Sequence, residues 1–361
     1  MHGTVELSAP GKAFVAGEYS VLEHGEPALV LAVDIRMHAQ VRELRGRSVE
    51  LVHAASGAAA QGEVGAIGVA WAHGPRAIPG ELRFAARSVE LAARLCAEEG
   101  RDARGFSATF VDDLSRDTRK LGLGGSAAAS VLAVRATCLA QERELTRDEL
   151  ISLAATAHWL EQGGRGSGAD VAACASGGLV EVRSRPSRRA LELAQSAAPV
   201  HELLQSDPPL QVRPVGVPPG CHFLLAWTGQ PANSRTLVDD VLSFATARRG
   251  RWHHHVRALS ACEVALRAAL ERADEAASLD AVRRAAAALG ALGDEAQVPI
   301  VTQELAHACA IASSAGAAGK PSGAGGGDCA IVLAWGEAAE RARKALEVAG
   351  YLSFEVAPAL P

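Results

Sequence analysis

From Ile35 to Val41 apolar and polar positions alternate, with Ile35, Met37, Ala39 and Val41 on one face and Arg36, His38 and Gln40 on the other. A period of two predicts a strand with one wetted face. Short apolar runs at Val5–Ala9, Phe106–Val111, Leu179–Val182, Cys221–Trp227, Cys329–Trp335 and Tyr351–Val356 predict further strands. Between Leu82 and Glu99 the spacing becomes helical, through Phe84, Ser88, Leu91, Ala92 and Leu95, and Gly100 follows as a stop. The alanine-rich stretch Ser126–Gln141 holds no Pro or Gly and predicts a second helix. A third opens at Thr146, where Thr146-Arg147-Asp148-Glu149 has the form of a capping box, and runs to Gln162. Helices fill most of Ser234 to Ala318, and another starts at Glu337.

At 361 residues the chain is long for one compact core, which makes two domains the natural expectation. The composition breaks at Arg183–Arg189, which is basic and proline-interrupted, and again at Ser206–Gly220, with five prolines and two glycines. Domains spanning 1–190 and 210–361 are therefore expected. A net charge of −5 argues against nucleic acid as the main partner, although a local pocket can still be basic. The seven cysteines are scattered without a C-x-x-C, which argues against zinc or a disulfide framework. Met1–Leu7 carries Glu6 and no apolar core of a signal peptide, and no apolar run approaches a membrane span. A soluble cytoplasmic protein, monomer or homodimer, is expected.

Candidate chemistry collects around glycines. In Lys120-Leu121-Gly122-Leu123-Gly124-Gly125-Ser126-Ala127 a glycine turn abuts a helix start. Backbone N–H groups can approach a phosphate there, and the helix adds its positive end. Ser126 can cap that helix or hold Mg²⁺; a tight turn with an ordinary N-cap accounts for the same residues. No Gly-Lys-Ser/Thr closes the loop, so it is not a Walker A sequence. A second cluster, Ser322-Gly323-Ala324-Gly325-Gly326-Gly327-Asp328, reads as helix, loop, then strand, and is too glycine-rich for a simple turn. In Gly163–Asp170 one carboxylate ends a glycine-rich turn, as a base, an electrostatic partner or a helix cap. Lys12, after Pro10-Gly11, can reach phosphate oxygens.

These segments occur in the order Pro10-Gly11-Lys12…Gly17-Glu18-Tyr19, Gly122-Leu123-Gly124-Gly125-Ser126-Ala127, then Ser322–Gly327. Together they resemble the three signature motifs of the GHMP kinases, over residues 8–334. Gly17-Glu18-Tyr19, Gly166-Ser167-Gly168-Ala169-Asp170 and Trp227-Thr228-Gly229…Ala232-Asn233-Ser234-Arg235 are similar to the phosphomevalonate kinases within that superfamily. Three positions depart from the pattern: Gly125 and Asn233 each stand where the family has Ser, and Ala169 replaces a larger residue.

The resemblance implies an α+β, two-domain fold, with an N-terminal domain like ribosomal protein S5 domain 2 and a ferredoxin-like C-terminal domain. It implies ATP and Mg²⁺, and transfer of phosphate to 5-phosphomevalonate. Lys12, Asp170 and Lys120 would be catalytic. Gly122, Leu123, Gly124, Gly125, Ser126, Ala127, Gly323, Gly325 and Gly326 would hold the nucleotide. Glu18, Tyr19, Ser167, Thr228, Gly229, Ala232, Ser234 and Arg235 would face the acceptor, with Arg165 as a further cation. Ser126 and Glu161 are the metal candidates. An alcohol-phosphorylating relative such as mevalonate kinase, or an inactive metabolite-binding protein of the same fold, are the alternatives. His253-His254-His255 cannot converge on one ion from a helix and are expected at the surface, and His158 is expected as a core histidine.

Overall fold

The alternating run around Ile35 belongs to a longer ladder in which β1 (Thr4–Ala16) and β2 (Pro27–Leu44) pair antiparallel. The computed structural model describes residues 3–116, 119–184, 199–205 and 210–361, and of residues 115, 116, 119, 120 and 205 the backbone alone. Pro10 brings no N–H to the ladder, and the register shifts between Pro10 and Gly11. Pro10-Gly11, expected as a turn after a short strand, is thus an irregularity inside a long one.

The chain continues through β3 (Ser48–His53), β4 (Ala59–Gly65), β5 (Gly68–Trp71), α1 (Arg83–Glu98), β6 (Gly105–Asp112), β7 (Ser115–Arg116) and β8 (Arg119–Lys120). Then come α2 (Gly125–Ala140), α3 (Arg147–Glu161), α4 (Ala169–Ser176), β9 (Leu179–Ser184), α5 (Val200–Gln205) and β10 (Leu210–Val215). An eight-stranded sheet runs β10-β9-β2-β6-β3-β4-β5, with β1 on β2. α3 starts at the expected capping box, with Thr146 Oγ1 accepting from the Glu149 N–H and the Glu149 carboxylate from the Thr146 N–H. α2 is buried on almost every side, which its run of alanines permits by letting α1, α3, α4 and β1 approach closely.

The second half comprises β11 (Cys221–Trp227), α6 (Ser234–Ala247), α7 (Arg249–Glu271), α8 (Glu275–Ala296), α9 (Gln303–Ser314), β12 (Ala318–Pro321), β13 (Cys329–Trp335), α10 (Ala338–Val348) and β14 (Leu352–Val356). Its sheet has the order β12-β13-β11-β14. The two-residue period divides its cores: Leu224, Ala226, Ala330 and Val332 pack with α9 and α10, whereas Phe223, Leu225, Ile331 and Leu333 join the main core. The architecture is the expected two-domain α+β arrangement.

Three expectations change. β10 pairs with β9 and completes the first sheet, so Leu210–Val215 belongs with the N-terminal half. Much of the expected junction, 185–198 and 206–209, lies outside the described residues. The second glycine cluster follows a strand, not a helix: β12 and β13 are antiparallel partners and the glycines form their connection. His255 is buried and bonds Glu295 at 2.7 Å, while His253 and His254 are exposed, because α7 turns only one of the three inward.

Candidate active site

The first glycine loop joins β8 to α2. Gly124 sits at φ +84° at the helix entrance, and no side chain caps that end. A Cβ there would lie 2.8 Å from Cγ and 2.9 Å from Cε of Lys12, so the lysine stem occupies the space a larger residue would need. Lys12 is aimed by β1, whose Lys12 N–H donates to the Leu123 carbonyl at 2.8 Å. Its Nζ donates to the Gly122 carbonyl at 3.0 Å and lies 5.7 Å from the Phe14 ring centroid. A cation therefore stands at the N-terminus of a sixteen-residue helix, where unpaired N–H groups already favour an anion. Gly122 is equally confined, since a Cβ would lie 2.5 Å from the Asp328 carboxyl. Gly125 is not: a Cβ there would meet only Met37 Cε at 3.8 Å, so space does not explain the absent serine. Ala127 is buried in the first turn.

Ser126 does not cap α2. Its Oγ lies 3.1 Å from His158 Nε2, and the same nitrogen is 3.9 Å from Asp170 Oδ2. His158 is 1% exposed and packs on Phe84 at 4.7 Å between ring centroids. Burial pushes its pKa down, partly opposed by Asp170, reinforced by Lys12 and opposed again by Glu161, so the imidazole is neutral near pH 7. Asp170 stands in the first turn of α4, and its Oδ1 accepts from the Val171 N–H at 2.9 Å. Ser167 Oγ accepts from the Ala169 N–H at 3.2 Å and shapes the turn before it. Glu161 lies in the last turn of α3 and contacts Arg87 at 3.8 Å. The backbone of Lys120 pairs with Ser115 in the β7–β8 hairpin; its side chain lies outside the described residues.

The second glycine loop meets this site from the other domain. Gly323 is open, but a Cβ on Gly325 would overlap the Ile300 carbonyl and one on Gly326 would lie 2.6 Å from Leu237. Asp328 ties the loop to the expected acceptor segment. Its carbonyl accepts from the Thr228 N–H at 2.9 Å and from Thr228 Oγ1 at 3.0 Å, and its Oδ1 accepts from the Ala232 N–H at 3.0 Å. Gly229, Ser234 and Arg235 are exposed beside it, at the entrance to α6, which Asn233 caps through the Thr236 N–H at 3.3 Å. Arg165 bonds Asp239 of α6 at 2.8 Å and so links the turn before Asp170 to the second domain.

Glu18 and Tyr19 are not turned to an acceptor. Glu18 is 2% exposed, ion-paired with the fully buried Lys320, and takes a 3.4 Å bond from the Gly323 N–H. The Tyr19 hydroxyl donates to the Ala324 carbonyl at 2.6 Å, and burial followed by the Glu18 charge pushes its pKa up. Both residues fasten the end of β1 to the second glycine loop, and Ser322 joins them through Phe14 N–H at 2.9 Å. Sequence reasoning gave no role to Lys320 and treated His158 as core. The available signals were a lysine inside an apolar strand next to Pro321, and a histidine one helical turn before Glu161.

Models of the N-terminal and C-terminal domains of GHMP kinases match residues 86–178 and 266–351. The chain belongs to the GHMP kinases. Within them, the phosphomevalonate kinase of Streptomyces sp. (strain CL190) is 33% identical over 372 residues, covering 99% of this chain and 98% of that protein. The Lin0012 protein of Listeria innocua has a TM-score of 0.89 at 24% identity, over 99% of this chain and 98% of its own. Streptococcus pneumoniae phosphomevalonate kinase, in complex with phosphomevalonate and AMPPNP, has a TM-score of 0.82 at 23% identity, over 97% of this chain and 99% of its own. At those identities the two structures speak for the fold.

Proposed function

We propose that this chain transfers the γ-phosphoryl group of ATP to the phosphate of 5-phosphomevalonate, giving ADP and 5-diphosphomevalonate on the mevalonate route to isoprenoids. One observation carries the reading: Lys12, the Ser126 end of α2 and Asp170 converge on one loop and one imidazole, in a chain that aligns end to end with a phosphomevalonate kinase. Phosphoryl transfer asks a protein mainly for positioning and for charge to offset two polyanions. The N–H groups of α2 and the backbone of Gly122–Ser126 receive the ATP phosphates, and Lys12 Nζ supplies the cation. Thr228 to Arg235, held by Asp328, faces the acceptor.

The donor set suits Mg²⁺, since Ser126 and Asp170 offer hard oxygens to either side of His158 Nε2. Among the described residues no group of three or more His, Cys, Asp or Glu forms a metal cage. That fits an ion carried in on the nucleotide and held by few protein atoms. Ser126 and Asp170 would hold it, and when bound it offsets charge on the transferring phosphoryl. Glu161, engaged with Arg87, is left outside this set.

The acceptor decides what Asp170 does. A phosphomonoester loses its second proton near about pH 6, so at neutral pH its oxygen is already nucleophilic. An alcohol would need a base, worth on the order of 10²–10⁴-fold. Asp170 is therefore assigned to the cation and not to a proton of the acceptor. ADP release measured on 5-phosphomevalonate, mevalonate and galactose tests the reading. Turnover is expected with the first alone, and preference for mevalonate would overturn the assignment of acceptor.

A further inference from the structure

We propose that His158 is a positioning residue, which aims the lone pairs of Ser126 Oγ at the cation that accompanies the nucleotide phosphates. The inference rests on the role given to Ser126 above. A serine hydroxyl carries one proton and two lone pairs and rotates freely unless a partner fixes it. Only a lone pair can face a cation. Here the partner is Nε2 at 3.1 Å, on a ring held by burial and by the face of Phe84. With Nε2 accepting the Ser126 proton, both lone pairs of Oγ turn to the glycine loop. Asp170 Oδ2, at 3.9 Å, is beyond hydrogen-bond reach of the same nitrogen, and its other oxygen is engaged by the Val171 N–H. His158 thus acts through Ser126, and both groups sit where α2, α3 and α4 meet.

Partners behind a metal-binding group typically contribute about 10–100-fold in metal affinity or activity. The test is calorimetric titration of ADP with and without Mg²⁺, in the absence of acceptor, with thermal melts alongside. His158→Phe keeps a ring against Phe84 and removes Nε2; His158→Gln returns a polar atom at similar reach. In the wild type Mg²⁺ tightens ADP binding. His158→Phe is expected to lose about 10-fold or more of that tightening, with Mg²⁺-free ADP affinity unchanged, and His158→Gln to recover most of it. In a Ser126→Ala background His158→Phe should have no further effect on the Mg²⁺ response, which a purely structural role would not produce. If His158→Phe does not fold, His158→Asn, too short to reach Oγ, replaces it with the same expectations. Full Mg²⁺ tightening in the folded Phe or Asn variant overturns the proposal. So does a folded His158→Gln that is as impaired as His158→Phe. A wild type that binds Mg²⁺·ADP and ignores phosphomevalonate would instead overturn the acceptor assignment and leave this inference standing.

Discussion

Glu263, on the inner side of α7, is fully buried, and neither of its carboxylate oxygens has a hydrogen-bond partner. Arg267 lies one turn on, with Nε 3.9 Å from Oε1, but its guanidinium is already shared with Glu181 of β9 at 3.1 Å and Glu271 at 3.2 Å. Burial, and then the negative charge of Glu181, push the Glu263 carboxyl up to about 7, against the pull of Arg267, Arg183 and Arg213. The folded protein therefore binds this proton more tightly than the unfolded chain, whose glutamate titrates near 4.5. Its contribution is favourable at low pH, is lost as pH rises from 4.5 to about 7, and stays lost above. At about 1.4 kcal/mol per tenfold in proton affinity, the gap is worth about 3 kcal/mol. Glu263→Met keeps the length of the side chain and removes the charge, while Arg267 retains Glu181 and Glu271. The variant should exceed the parent in stability by about 3 kcal/mol at pH 8, with most of the pH-dependent gain gone by about pH 5. Urea unfolding at both pH values, followed by tryptophan fluorescence and circular dichroism, measures the difference, and coincident transitions license the two-state treatment. An equal gain at both pH values would refute the titration argument, because loss of a buried polar group alone carries no such dependence. A variant less stable than the parent at pH 8 would mean that the arginines already satisfy the carboxylate.

Three further outcomes follow from the site and its support. Ser126→Ala removes the partner of the buried His158 Nε2 and should lower stability by about 1–3 kcal/mol, while lowering kcat in the folded fraction in a coupled ADP assay; a wild-type rate would remove Ser126 from the cation's ligands. Lys12→Met should lower kcat on phosphomevalonate more than Asp170→Asn does, and Asp170→Asn should gain no new pH dependence above about 7, where the acceptor is mostly dianionic. Recovery of the Asp170→Asn rate with rising pH would make Asp170 a base. Lys320→Met strands Glu18 as a buried charge and should destabilise by about 3–5 kcal/mol in denaturant titrations, with the double variant Glu18→Gln/Lys320→Met recovering part of the loss.

Elements with their own periodicity were legible from the chain. Cys221–Trp227 and Cys329–Trp335 are the observed bounds of β11 and β13, and α1 and α3 fall within a residue or so of the expected ranges. β3, β4 and β5 were not, because the run from Ser48 to Trp71 is rich in Ala and Gly. β3 exists through pairing with β6, which is distant in sequence, and β4 and β5 add to it in turn. Among the candidate-site residues, Lys12, Ser126 and the Gly122–Gly124 turn stand out in the sequence because helix starts and glycine loops carry local signatures. The contacts around them do not. That Asp328 fills the space beside Gly122, or that His158 meets Ser126, depends on approach between helices and domains that no local pattern encodes.

The position of Glu18 and Tyr19 separates two meanings of a motif. Both belong to the first signature segment, and both are spent on holding β1 to the β12–β13 connection through Lys320, Gly323 and Ala324. Phe14 and Ser322 extend the same seam across the two domains, and Asp328 ties Thr228 to the glycine loop within the second. A reaction that gains most from placing two phosphates in line is sensitive to the relative position of the halves that carry them. A seam of buried, directional bonds restricts that position more than apolar packing alone, which tolerates sliding. Lys12 belongs to the strand being fastened, and the proposed acceptor segment is tied through Asp328 to the loop it is fastened to. Loosening the seam should therefore act on kcat as well as on stability. A seam variant such as Tyr19→Phe, which removes the hydroxyl bond to Ala324 and keeps the ring in its cluster with Leu237, Val241 and Trp252, separates the two effects. It should lower stability by about 1 kcal/mol, the net worth of one hydrogen bond, and lower kcat on phosphomevalonate in the fraction that remains folded. Unchanged kcat with reduced stability would assign the seam to folding alone.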